Sequence, residues 1–469
     1  MPKPFIFILL LIFAFGINFP LFAQSKKDSI QYKKDLKFLT AGLMVFHPGI
    51  QTKSDSLGLK QAYKRLGKRI SSTTTAVEFK QTLGELVKLV KDGHTGFTLG
   101  EPDDLRILPF QIAFSGEIYF VKNSKFEKIK NGSILTHIGS WDIDSVYQFY
   151  RSYLSIGDQN YDFESGVRHT KYLQYVNLLN LNDSLIDITY LLNDSTKHSM
   201  VPVYSLESYD ELFGSRSRKR KAFSWKFLND SVALLSIRSF NSGYYNSRIS
   251  RAIKEIKDST DVQSIVLDLR QNAGGQTSKA MELLGHFIDT TWALHNESLI
   301  KGACLNVLPE NTYIDRYLRK RIKKHGKEDW VVVKNEGGLM ESSLIWGEAK
   351  PKENIYNVKD LDLVVLIDEG SFSAAAIAAA RLQDLGVILI GVPSMCRVRT
   401  MNMGVMKEFE LPNTQLSYRV PLIHGEFNLM ERKSGQLVPN IIVHPEISDE
   451  INGKDRILER ALQYLREMK

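Results

Sequence analysis

The second half of the chain alternates short apolar strands with helices, and this alternation constrains the fold more than any other feature. Runs rich in Val, Ile and Leu are typical of buried strands, and helical patterns follow them. The strands are predicted at 232–237, 264–269, 363–367 and 387–390, and the helices at 247–257, 277–287 and 374–382. Such alternation favours a largely parallel sheet covered on both faces. We therefore expect an α/β core over residues 225–450 and a C-terminal helix over 451–469.

The first half of the chain shows different patterns. Residues 24–105 have helical apolar spacing, with a capping box from Thr75 to Glu78, and predict an N-terminal helical domain. Residues 106–205 contain short strand patterns separated by turns, which indicate a small β-rich module. Residues 206–224 carry a run of Arg and Lys without apolar periodicity and are predicted to form a basic linker.

The N-terminus predicts export. An unbroken apolar run from Phe5 to Phe15 follows Lys3, is too short to span a bilayer, and is followed by a small residue at Ala23. This pattern is typical of a secretory signal peptide over residues 1–23; an uncleaved anchor helix is the alternative. We find no other segment apolar enough to span a membrane, so we expect a periplasmic, cell-surface or extracellular protein.

Composition excludes several classes of protein. The 469-residue chain has only two cysteines, which excludes a disulfide scaffold, although Cys304 and Cys396 could pair in an oxidising compartment. The net charge of +8 is concentrated at 216–221 and 316–327, which we interpret as solvated stretches. The second stretch could instead bind anionic lipopolysaccharide or an acidic substrate. We predict no nucleic-acid partner, because no aromatic residues interleave these basic stretches, and no metal, because the histidines lack ligand spacing.

Three segments place small or polar residues where a regular element ends. Residues 92–96 present His94 between two glycines, which suits a general base. Residues 268–275 run from a strand into a glycine turn, whose free N–H groups could hold an oxyanion. Residues 368–376 place Ser371 and Ser373 at a strand-to-helix junction, as in a nucleophile elbow. A surface histidine, a plain turn and a helix cap would explain each segment separately, but together they indicate an acyl-transfer site.

These three segments, in this order, resemble the tail-specific (C-terminal processing) proteases and the tricorn core, family forty-one of the serine peptidases. The resemblance extends to residues 392–394, 409–413 and 438–443 and covers roughly residues 30–450. The N-terminal helices and residues 108–110 are similar to family members common among the secreted proteins of Bacteroidetes-type bacteria. It implies a ClpP/crotonase-like protease core and a PDZ-like module at residues 106–205 that captures peptides.

The resemblance also implies roles for individual residues. The nucleophile of the family falls on Ser373. The N–H of Ala374, together with one from Gly274 or Gly275, would form the oxyanion hole.

The resemblance implies a histidine rather than a lysine as the base. The tail-specific branch uses a lysine that would fall near Val398, which here lies between Arg397 and Arg399. Arginine stays protonated and cannot act as a base. The tricorn-like branch uses a histidine, for which His94 fits, assisted by a glutamate for which Glu431 is the candidate.

We therefore expect an exported serine endopeptidase that hydrolyses unfolded polypeptides or C-terminal tails through an acyl-enzyme, without a cofactor. A catalytically inactive peptide-binding protein on the same scaffold is the alternative. It is favoured by Ala376, where the family usually has Glu, and by the missing lysine. A crotonase-like acyl-CoA enzyme is a third hypothesis, which the predicted export disfavours because CoA is cytoplasmic.

Overall fold

The computed structural model describes residues 18–468 except 51, 101–103, 116, 155–167, 169, 171, 180, 182, 214–221, 242–244, 302, 305–306, 308–331, 334–338 and 433–434. Residues 1–17 of the predicted signal peptide and the basic stretches 216–221 and 316–327 lie outside the described residues. Among the described helices, none is long and apolar enough to cross a membrane.

A six-stranded sheet forms the centre of the α/β core, in the order β18-β15-β14-β10-β9-β8. Its strands are β8 (Phe223–Asn229), β9 (Val232–Ile237), β10 (Ser264–Asp268), β14 (Asp362–Ile367), β15 (Ile388–Gly391) and β18 (Ile441–Ile442). All neighbouring pairs are parallel except β8 with β9. The predicted parallel sheet is therefore confirmed, with one antiparallel edge strand added.

Helices cover both faces of this sheet, because successive side chains of a strand point to opposite sides. Leu267 and Val365 pack against α6 (Tyr245–Asp258), α7 (Thr277–Leu284) and α8 (Ala374–Asp384). Val266 and Val364 face the other side and pack against α10 (Arg456–Glu467), which follows the short helix α9 (Ile447–Asn452). The fully apolar strands of the sequence thus reflect burial on two faces.

A second, antiparallel sheet borders the core, and none of its described strands was predicted. It has the order β1-β17-β11-β13-β12, with β16 paired to β17. The strands are β1 (Gly96–Phe97), β11 (Trp292–Lys301), β12 (Val332–Val333), β13 (Leu339–Ala349), β16 (Thr400–Glu410) and β17 (Ser417–Phe427). Because β1 pairs with β17, this sheet carries the segment that contains the predicted base next to the α/β core.

The first half of the chain combines helices with a third sheet. The helices are α1 (Asn18–Phe46), α2 (Lys53–Arg69), α3 (Ala76–Val87), α4 (Ile143–Tyr153) and α5 (Leu206–Phe213). The sheet has the order β2-β3-β4-β6-β7, with β5 on β4, and consists of β2 (Gln111–Ser115), β3 (Ile118–Lys122), β4 (Ile134–Ile138), β5 (Trp141–Asp142), β6 (Leu185–Leu192) and β7 (Ser195–Pro202). Leu39 and Leu83 of the helices share one hydrophobic cluster with Phe110 and Ile188 of the β-rich module. The mixed architecture of helical, β-rich and α/β parts is the predicted fold class.

A buried carboxylate fastens the first helix to the second sheet. Asp35 of α1 is fully buried and accepts hydrogen bonds from the backbone and side chain of Asn413 and of Thr414, at 2.7–3.0 Å. Both residues lie in the turn between β16 and β17. Such charge-assisted bonds are stronger than neutral ones, so Asp35 fixes α1 on the hairpin.

Candidate active site

Two neighbouring strands bring the second and third motif segments together. Asp268 at the end of β10 pairs with Leu366 near the end of β14, so the turns that follow both strands lie side by side. The N–H of Phe372 donates to the carbonyl of Asn272 at 2.9 Å. The buried Asp368 carboxylate also accepts from the backbone and side chain of Gln271, at 2.7 and 2.6 Å. The two turns are therefore fixed to each other by direct hydrogen bonds.

Two adjacent carboxyl groups lie in the same loop. Burial raises the pKa of Asp368. Burial, together with the charge on Asp368, raises the pKa of Glu369 to about 8. Because neighbouring carboxylates oppose each other's ionisation, the pair carries less than two full negative charges near neutral pH.

The two candidate serines, Ser371 and Ser373, have different environments. The buried Ser371 hydroxyl donates to the carbonyl of Leu269 at 2.9 Å and accepts from the N–H of Asp368 at 3.0 Å, so it holds the loop. Ser373 precedes α8 with φ 54° and ψ −124°, and its hydroxyl makes no capping hydrogen bond. A positive φ is unusual for a residue with a Cβ and marks stored strain, as at a nucleophile elbow. Ser373 therefore has the geometry of a nucleophile and Ser371 has a structural role.

A glycine allows the second turn to approach this serine. Gly274 has φ +91°, and a Cβ placed on it would lie 2.7 Å from the carbonyl oxygen of Phe372 and 2.8 Å from Cβ of Ser373. The Gly274 N–H already donates to Oδ1 of Asn272 at 2.9 Å. Among the described residues, the N–H groups of Gly275 and Ala374 have no such acceptor. The candidate oxyanion donors are therefore Gly275 and Ala374.

His94 reaches the elbow from the other half of the molecule. Its ring packs against the ring of Phe372, with 4.8 Å between centroids, directly beside Ser373 in the chain. Its side chain is 11% exposed, so the ring is not completely buried. The loop that carries His94 lies between a single 3₁₀ turn (Lys88–Val90) and β1.

The carboxylate that approaches the His94 ring is Asp92, which the sequence analysis did not single out. Oδ1 of Asp92 lies 3.6 Å from Nδ1 of His94 and accepts the backbone N–H of His94 at 3.0 Å. Oδ2 accepts from Thr95 Oγ1 at 2.5 Å and lies 3.2 Å from Nε2 of His47. Burial alone would raise the pKa of Asp92, but hydrogen bonds from His47 and His94 outweigh it and hold that pKa far below its usual range. Asp92 is therefore a permanent negative charge beside His94.

Glu431 occupies a different environment. Its side chain is 84% exposed and its carboxylate lies 3.4 Å from Arg399. Within the described residues, the ion-pair distance to the His94 ring belongs to Asp92 and not to Glu431. Val398, at the position of the dyad lysine, is fully buried and apolar.

Both cysteines are free thiols. Burial raises the pKa of each to about 12, which keeps the thiol protonated and unreactive. Cys396 accepts the N–H of Ser373 at 3.3 Å, and Cys304 donates to the carbonyl of Phe46 at 3.3 Å. Burial is the main cause of the raised pKa of Cys396, and the charge of Asp92 makes a smaller contribution in the same direction. In the part of the chain described, no three His, Cys, Asp or Glu side chains are grouped to hold a metal ion.

Comparison with known families agrees with this geometry. Residues 231–417 match the model of Peptidase family S41. This segment resembles the S41 peptidase core. It contains Gly274, Gly275, Ser373 and Ala374, and the match supports a serine-type peptidase. His94 lies before the matched segment, so the match does not bear on its role.

Solved structures support the fold. The structure of mature CPAF complexed with lactacystin is 13% identical, with a TM-score of 0.62, and the match covers 94% of this chain and 98% of that chain. A CPAF mutant is 13% identical with a TM-score of 0.62, covering 90% of this chain and 94% of that chain. Mature CPAF alone is 12% identical with a TM-score of 0.59, covering 90% and 94%. No curated protein sequence matches the chain.

Proposed function

We propose that this protein is an active, exported serine endopeptidase that cleaves unfolded polypeptides or C-terminal tails. The observation that carries the proposal is the conformation of Ser373. The backbone of the half-buried Ser373 is strained at the start of a buried helix and its hydroxyl makes no capping bond, while Gly274 permits a second turn to lie against it. Strain of this kind persists only where the surrounding structure enforces it, and it concentrates at functional sites.

His94 would act as the general base. Asp92 faces Nδ1 of His94, so a proton on Nδ1 is favoured and Nε2 is left to accept the proton of Ser373. The present distance of 3.6 Å exceeds a hydrogen bond, and we expect a small rotation of the ring to close it when substrate binds. In this mechanism Asp92 takes the orienting role that the sequence analysis gave to Glu431.

The reaction would proceed through an acyl-enzyme. Ser373 Oγ attacks the carbonyl carbon while its proton moves to His94, and the N–H groups of Gly275 and Ala374 stabilise the oxyanion. His94 then gives the proton to the leaving amine as the peptide bond breaks. A water molecule, deprotonated by His94, attacks the ester carbonyl, and the returning proton regenerates Ser373.

The β-rich module would bind the polypeptide substrate. β2 is an edge strand among the described strands of its sheet, and an extended peptide can add to such an edge. Addition of a strand requires an unfolded segment, which supports unfolded polypeptides or tails as the substrate class. Export is proposed from the apolar N-terminal run alone.

The test is hydrolysis of a denatured protein and labelling by a fluorophosphonate, with mass spectrometry to locate the label. We expect label on Ser373 and loss of both activities in Ser373→Ala. Ser250→Ala, which changes a half-buried serine of α6, is the matched control and should behave as wild type. Because mature CPAF has been solved with lactacystin, that compound is a second probe.

Equal cleavage by wild type and Ser373→Ala would contradict the mechanism. A folded wild type that neither cleaves nor labels, yet binds peptides, would favour the non-catalytic alternative. The buried alanine at position 376, which offers no carboxylate, is the structural feature consistent with that alternative.

A further inference from the structure

His47 is a buried histidine that the proposed mechanism does not use. It follows α1 directly, its N–H donates to the carbonyl of Leu43 at 2.9 Å, and its exposed fraction is 0%. A fully buried imidazole must satisfy its ring nitrogens within the protein. Both ring nitrogens of His47 do so, and their partners define its tautomer.

Backbone geometry fixes the tautomer of His47. The N–H of Gly49 donates to Nδ1 at 3.1 Å, so Nδ1 carries a lone pair and no proton. The proton of the neutral ring is therefore on Nε2, which lies 3.2 Å from Oδ2 of Asp92 and donates to it. Gly49 is suited to this contact, because a Cβ there would lie within 3.0–3.2 Å of the His47 ring and of Asn402 Nδ2.

The two oxygens of Asp92 divide between two histidines. Oδ2 receives Nε2–H of His47 and the hydroxyl of Thr95, while Oδ1 receives the N–H of His94 and faces its ring. A carboxylate held on Oδ2 from two directions cannot rotate about its terminal bond without losing both bonds. Fixing Oδ2 therefore fixes Oδ1 beside the His94 ring.

The other charged or titratable groups around His47 do not compete for this role. His424 of β17 bonds through Nδ1 to Oδ1 of Asn402 at 2.8 Å, and burial lowers the pKa of His424. The charge of Asp92 acts on His424 in the opposite direction. Asp92 is thus the carboxylate that faces both His47 and His94 in this cluster.

We propose that His47 is a positioning residue of the peptidase, which holds the Asp92 carboxylate in the orientation that aims Oδ1 at His94. This inference rests on the proposed function, since it concerns the same catalytic pair. A positioning role for His47 would make the end of α1 part of the active site. A helix outside the matched S41 segment would then affect how well His94 acts as a base. If His47 had only a structural role, its bond to Asp92 would hold the end of α1 against the loop without affecting kcat.

The test compares His47→Leu, His47→Gln and His47→Asn. Gln can reach Asp92 with an N–H from near the Nε2 position, whereas Asn is too short and Leu has no donor. We expect kcat and the rate of fluorophosphonate labelling to fall about 10²-fold in His47→Leu and His47→Asn, with KM little changed. His47→Gln should recover most of the loss. Rates are measured per folded molecule, with each variant checked by thermal unfolding.

His286→Leu is the matched control. His286 is also fully buried, donates from Nδ1 to the carbonyl of Tyr356 at 2.6 Å, and lies in the α/β core away from the candidate residues. Its variant should lose stability while keeping kcat. Unchanged kcat in His47→Leu, or equal losses in His47→Gln and His47→Asn, would overturn the positioning role. Absence of Ser373-dependent labelling in wild type would instead refute the proposed function, so the two failures are distinguishable.

Discussion

The strained backbone at Ser373 predicts an inverted effect of glycine on stability. Ser373→Ala and Ser373→Gly both remove the hydroxyl and differ only in Cβ. At φ 54° and ψ −124° a residue with a Cβ is strained, whereas glycine adopts this region without strain. The glycine variant should therefore be the more stable of the two.

The size of the effect follows from two opposing terms. A non-glycine residue in such a region costs about 1–3 kcal/mol. Glycine costs about 0.5–1 kcal/mol through the larger entropy of its unfolded chain. The difference leaves Ser373→Gly more stable than Ser373→Ala by about 0–2.5 kcal/mol, with a midpoint of about 1 kcal/mol. At an ordinary helical position the sign is reversed, with Ala favoured by about 1 kcal/mol.

Urea unfolding, followed by far-ultraviolet circular dichroism, measures this difference. Ser250 of α6 provides the matched pair, because Ser250→Gly should be less stable than Ser250→Ala. The comparison of signs at the two positions removes any effect common to glycine substitution. A Ser373→Gly variant less stable than Ser373→Ala would refute the assignment of strain to this residue, and with it the main support for the nucleophile elbow.

Three further predictions concern the frame around the site. Gly274→Ala should lower kcat about 10²-fold, because its Cβ would lie 2.7 Å from a backbone oxygen; Gly386→Ala, also at positive φ but with nothing within 4 Å, should not change kcat. Asp268 bonds to Arg238 and Arg270, which together outweigh the effect of burial and lower its pKa to about 2, against an ordinary value of 3.8. The ionised Asp268 therefore contributes stability above about pH 4, and this contribution is lost as the pH falls towards 2. Over that interval the difference in unfolding free energy between wild type and Asp268→Asn, measured by urea unfolding, should shrink by about 2 kcal/mol. Asp35→Ala removes the acceptor of four hydrogen bonds and should cost about 2–4 kcal/mol of stability by the same measurement, with Asp35→Asn less damaging.

The α/β core was predictable because its strands are buried on both faces. β9, β10, β14 and β15 are short, continuous apolar runs that lie within one or two residues of the predicted limits. The long strands of the second sheet were not predicted. β17 includes Pro421 and Arg419, and β11 includes Asn296 and Glu297, so neither presents a clean alternation or an apolar run. Their pairing depends on partners that are distant in the chain, which a local pattern does not contain.

The candidate site was predictable as far as residue types and turns allowed. Strand-to-helix turns identified Gly274, Gly275 and Ser373, and a histidine between glycines identified His94. The sequence could not choose between Gly274 and Gly275, since that choice depends on the side chain of Asn272, which takes the Gly274 N–H. The position of Asp92, two residues before His94, could have indicated a role beside the base. An acidic residue before a glycine is also common where a helix ends, so the position alone did not identify it.

The segments that carry the candidate base and nucleophile contribute to different hydrophobic clusters, and this separation has a mechanistic consequence. Phe97, three residues beyond His94, lies in the cluster of the N-terminal helices and β-rich module, whereas Ala374 lies in that of the α/β core. One contact across the boundary is that of the His94 ring with the Phe372 ring. Loosening this contact would move the base away from Ser373 while both clusters stay folded. Peptidase activity should therefore depend on the docking of the two clusters more steeply than on the stability of either one.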